Sequence, residues 1–80
     1  MEQMEKEATK EKAAQISALE SEDTIEAQYR AVEIATSIDD EKLSERMTKA
    51  TASRLIGLLE AEGSEQSLKE IEQLKAEYFS

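Results

Sequence analysis

The chain has 80 residues, with 19 acidic and 10 basic side chains, a formal net charge of −9, and no cysteine, histidine or proline. Disulfides and thiolate metal sites are excluded, and the commonest general base and commonest transition-metal ligand are absent. The acidic balance also disfavours direct nucleic-acid binding and attachment to an anionic membrane surface, since both need clustered Lys and Arg.

This length is that of one small domain. Twenty side chains are apolar and larger than alanine, enough for one helical core and not for two. Ala, Glu, Lys, Leu and Gln dominate, all good helix formers, and the two glycines leave little turn chemistry for strands. The expected class is all-α: a single domain built as a three- or four-helix bundle.

The first helix is expected over about 2–19, and it is thinly amphipathic. Met4, Ala8, Ile16 and Leu19 form its stripe, interrupted by Lys12 and Gln15. Its last turns can dock through Ile16 and Leu19. A second reading has residues 1–14 frayed, or ordered only when a partner covers them. The opening Met1-Glu2-Gln3-Met4-Glu5-Lys6 has neither a basic region nor an apolar stretch after it, so no secretory signal is expected.

Glu20-Ser21-Glu22-Asp23 is the first break, and Asp23 with Glu26 has the spacing of a capping box. The second helix is expected over about 24–37. Ile25, Tyr29, Val32 and Thr36 line one stripe, and Ala27, Ala31, Ile34 and Ile38 line an adjacent one. Glu26, Arg30, Glu33 and Ser37 form its polar face. A short Ile38-Asp39-Asp40 turn leads to an antiparallel third helix over about 40–62, capped by Asp39 or Asp40 and stopped by Gly63.

On the wheel, Leu43, Met47, Ala50, Leu58 and Ala61 share one face of this third helix. Ala52, Leu55 and Leu59 widen the face, and Ile56 sits at its edge. Arg54 falls inside the apolar arc, where an unpaired charge would be expensive, so it is expected to reach the bundle edge and pair with Glu26 or Glu33, or with an acid on a partner. Gly57 costs the helix roughly 1 kcal/mol against alanine, and the close approach of a neighbouring helix is its expected reason. Lys42, Arg46 and Lys49 form a short basic ridge, expected to be solvated.

Ser64 and Ser67 are both candidate caps of the last helix, over about 65–79, and Ser67 with Glu70 has the capping-box spacing. Leu68, Ile71, Leu74 and Tyr78 are expected to face inward, with Phe79 closing the end and Lys75 interrupting the stripe.

No catalytic constellation stands out. The glycines are isolated, so no phosphate-cradling loop exists. A hydrolytic triad and a Glu-x-x-His di-iron site both lack their histidine. The carboxylate clusters sit at helix boundaries, where the helix dipole accounts for them, and their spacing is not that of a calcium loop. The expectation is a non-enzymatic protein with no metal and no cofactor. The longest apolar run is about five residues around Leu58, against the ~20 a membrane span needs. The expected setting is the cytoplasm, or a host's cytoplasm for a phage product.

Two functional readings follow. The surplus apolar width of the second and third helices suggests a small adaptor, chaperone-like or regulatory subunit. It would hold a protein partner in an apolar groove of Ile34, Ile38, Arg54, Ile56 and Leu59. The same surface could instead form a homodimer, giving a self-associating structural protein. In the second reading, Glu20, Glu22, Asp23, Glu26, Glu33, Asp39, Asp40 and Glu41 present a charge array like that of a nucleic-acid backbone. Such a protein would inhibit a nucleic-acid-binding protein, as a phage-encoded anti-CRISPR or anti-restriction protein does.

Overall fold

The computed structural model describes the backbone of residues 2–79 and the side chains of residues 8–79. Four helices account for nearly all of it: α1 Glu2–Glu20, α2 Ile25–Thr36, α3 Glu41–Glu62 and α4 Glu65–Tyr78. No strand occurs among the described residues. The contribution of Met4 to the α1 stripe falls on an undescribed side chain. So does part of the reading in which residues 1–14 order only on binding.

Local chemistry sets the boundaries. Asp40 caps α3, its carboxylate accepting from the Leu43 amide at 3.1 Å. Gly63 ends α3 in the left-handed conformation at φ 71°, where its amide donates to the Leu59 carbonyl. Only glycine adopts this backbone without steric cost. One cap differs from the sequence expectation, and another falls on one of its two candidates. Thr24, not Asp23, caps α2 by accepting from the Ala27 amide at 3.1 Å. Asp23 instead turns the chain at φ 53°, a left-handed conformation that Asp tolerates better than most residues. Ser64, not Ser67, caps α4 by accepting from the Ser67 amide at 3.1 Å.

α2 and α3 form the antiparallel hairpin expected across the Ile38–Asp40 turn. The Ser44 hydroxyl donates to the Ala35 carbonyl at 2.7 Å and pins their register near the turn. α4 packs along one side of this hairpin and α1 along the other, giving a flattened bundle of 46 × 27 × 13 Å. The core is accordingly split. Val32, Ala52, Leu55, Ile56, Leu59, Ile71 and Leu74 form the α4-side cluster, with Ile25, Tyr29 and Tyr78 against it. Ile16, Ala31, Ala35 and Ile38 form the α1-side cluster, flanked by Leu19, Ile34, Leu43 and Met47. The apolar width of α2 and α3, more than one neighbour needs, is taken up by these two flanking helices.

The inward stripe of α3 is rotated from the expected one. It runs through Thr48, Thr51, Ala52, Leu55, Ile56 and Leu59, while Ala50 and Ala61 are exposed. Thr51 can be buried because its hydroxyl donates to the Met47 carbonyl at 2.7 Å, one turn back. Counting only apolar side chains missed both threonines. Leu68 and Phe79, expected inside, are 54% and 45% exposed, and Ser67 is buried instead. Its hydroxyl donates to the Glu62 carboxylate at 2.7 Å, which lets a small polar residue stand at the α3–α4 corner.

Gly57 does not mark a helix contact. A Cβ built there meets nothing within 4 Å, and the residue is exposed. Gly57→Ala is therefore expected to raise stability by about 0.5–1 kcal/mol, through helix propensity and a less flexible unfolded chain. Urea denaturation followed by circular dichroism measures this, and a midpoint that fails to rise would contradict an open site at Gly57.

Candidate functional site

The charge is distributed unevenly along the chain. Between residues 20 and 41 lie eight carboxylates and one basic side chain, a net −7 of the total −9. This segment is the end of α1, the turn after it, all of α2 and the entry to α3. Glu22, Asp23, Glu26, Glu33, Asp39, Asp40 and Glu41 are exposed, and Glu20 is half-buried.

The structure brings part of this set together. Glu22, Glu26 and Glu33 line an open depression of about 460 Å³ with Leu19, Thr24, Ala27, Tyr29 and Arg30. Glu26 and Glu33 sit on the outward side of α2, because its inward side is spent on Ala27, Gln28, Ala31, Val32 and Ala35, and Glu22 lies in the turn before it. Asp39, Asp40 and Glu41 lie at the far end of α2, whose twelve residues span ~18 Å. Asp40 is committed to its cap there.

α4 adds carboxylates beside α2. Burial pushes the Tyr29 phenol up to about 12, reinforced by the charge of neighbouring Glu70. Tyr78 is raised by burial, then by Glu77, and further by Glu33 across the seam. Both phenols are therefore held in the neutral form beside these acids.

Arg54 has a role the sequence did not reveal. It is exposed and does not pair with Glu26 or Glu33. Its Nη2 donates to the Glu20 carbonyl at 3.3 Å and to the Asp23 carboxylate at 3.5 Å. α1 carries no basic residue in its last turn, so this guanidinium supplies the positive charge that its C-terminus favours. Arg54 lies on the α1-facing stripe of α3 at the level where α1 ends, which explains a cation inside an apolar arc.

The remaining residues of the expected apolar groove do not form an open surface. Leu59, Ile38 and Ile56 are 1%, 5% and 9% exposed, closed off by the chain's own helices. Ile34 is half-buried beside the α1-side cluster, away from the Ile56 and Leu59 cluster. Lys42, Arg46 and Lys49 are exposed on α3, and Lys49 pairs with Glu45 at 3.2 Å.

Sequence reading missed two buried polar side chains. Gln28 is 0% exposed, and neither its amide oxygen nor its nitrogen has a protein partner. Thr48 is buried with its hydroxyl likewise unpaired. The signal was present, since position 28 stands three, four and seven residues before Ala31, Val32 and Ala35.

No group of three or more Asp or Glu residues that could hold a metal ion occurs among the described residues. No described helix is long and apolar enough to cross a membrane. Comparison with protein-family models, curated proteins and solved structures finds no match for this chain.

Proposed function

We propose that this chain is a non-enzymatic interaction protein whose acidic α2 side docks on a basic surface of a partner protein, in the manner of a nucleic-acid mimic. One observation carries the reading. Residues 20–41 hold −7 of the −9 net charge, and nearly all of these carboxylates are exposed on one helix and its two ends. Such an array attracts a cationic cleft over distance and loses its hold as salt screens it. The sites that nucleases and other nucleic-acid-binding proteins offer to phosphates are clefts of this kind. An inhibitor of such a protein, encoded by a phage or mobile element, is the narrower form of the proposal. The apolar-groove reading has less support, because its residues are largely covered within the chain.

The test is capture by the tagged protein at low and high salt, beside the triple variant Glu22→Lys, Glu26→Lys, Glu33→Lys. All three side chains are exposed and none caps a helix, so circular dichroism should remain that of the native fold. Basic proteins held at low salt, released at high salt and not bound by the variant are the expected result. Equal capture by the variant, a partner that survives high salt, or recovery of the chain alone would each overturn the proposal.

A further inference from the structure

We infer that α1 is a detachable strap: it undocks as a unit while α2, α3 and α4 stay folded, and it uncovers an apolar groove along the α2–α3 hairpin. This inference is independent of the acidic docking side.

The attachment of α1 is slight for a helix of 19 residues. Among its described side chains only Ile16 is buried, at 2% exposure, while Ala8, Thr9, Lys12, Ala13, Leu19 and Glu20 are half-buried. Its polar ties include Lys12 Nζ to the Ser37 carbonyl at 2.7 Å, the Thr51 hydroxyl to the Glu20 carboxylate at 3.5 Å, and Arg54 to the Glu20 carbonyl. The last two are long, and the Lys12 and Arg54 contacts are exposed, where water replaces them at little cost. An open cleft of about 230 Å³ runs between α1 and α3, lined by Ala13, Ile16, Ser17, Glu20, Met47, Ala50 and Thr51. α1 is thus seated mainly on α2.

What remains after release is a complete core. The α4-side cluster draws on α2, α3 and α4 and contains no residue of α1. The hairpin keeps its Ser44–Ala35 bond and its caps. The vacated groove exposes Ala31, Ala35 and Ile38, with Ile34, Leu43 and Met47 at its margins. The turn at residues 21–24, with Asp23 at φ 53°, is the hinge. Opening free energies differ between cooperative units of one protein, and a helix with few buried apolar contacts lies at the low end.

Native-state hydrogen exchange on the full chain tests this. Helical amides of residues 13–20 are expected to exchange about tenfold or more faster than those of Leu55, Leu59 and Ile71. Ile16→Ala should speed all of these amides about equally, since it weakens the docked state against both the undocked and the unfolded one. Ile71→Ala, in the other cluster, should speed the α2, α3 and α4 amides and leave those of α1 unchanged, since its contacts persist while α1 is undocked. A single common rate for α1 and α3 would overturn the inference. So would acceleration of the α1 amides by Ile71→Ala, or failure of Ile16→Ala to fold.

Discussion

Leu55→Ala is expected to lower the free energy of unfolding by about 3 kcal/mol, within the range of about 2–5 kcal/mol for large-to-alanine changes in cores. Leu55 is fully buried at the centre of α3, in the cluster that joins α2, α3 and α4. Three helices meet around it, and none can close the void without leaving its other contacts. A small domain has only about 5 kcal/mol or a little more of net stability, so the variant should remain folded in water but unfold at a much lower urea concentration. Urea denaturation followed by circular dichroism measures the loss. A change below about 1 kcal/mol would mean that the cluster collapses onto the gap and is less tightly built than the burial implies.

Gln28→Met is expected to change stability in the other direction, raising it by about 1–2 kcal/mol. The amide is fully buried, and neither of its polar atoms has a protein partner. Burying such a group unpaired costs roughly 1–3 kcal/mol in protein interiors. Methionine has a similar length and helix propensity, adapts to an irregular space, and removes that penalty. The same denaturation experiment decides it. A destabilised variant would show that the amide is satisfied in solution.

The difference between these two positions shows how far the sequence could be read. Leu55 lies in the densest apolar run, and its burial followed from periodicity. Gln28 occupies the same kind of helical position on α2, but its chemistry argued for solvent. What buries it is the closing of the bundle over the inward side of α2, where Ala27, Ala31, Val32 and Ala35 are buried with it. Leu68 and Phe79 show the converse. They continue the apolar pattern of α4 yet remain exposed, because no helix lies beyond α4 to cover them. Ser67 takes the corner position through Glu62, a contact between the end of one helix and the start of the next.

The acidic segment was legible for a simple reason: charge is a property of composition, and residues 20–41 are almost wholly short-range structure. Their exposure required the fold, yet the glutamates had no apolar alternative. The groove was not legible. Helical wheels showed that α2 and α3 each had surplus apolar width, but not whether a partner or the chain itself would fill it.

The sequence alone determined the class, the four helices within a few residues of their bounds, the hairpin turn, a cap at Asp39 or Asp40, and the stop at Gly63. These rest on local rules: propensity, periodicity and the satisfaction of terminal amides and carbonyls. Tertiary structure decided which faces are shared. It placed α1 and α4 on opposite sides of the hairpin, closed Ile38, Ile56 and Leu59 inside, and carried Arg54 to the end of α1. Those outcomes depend on contacts between residues more than twenty apart, where several packings satisfy the same pattern and only the relative placement of whole helices selects one.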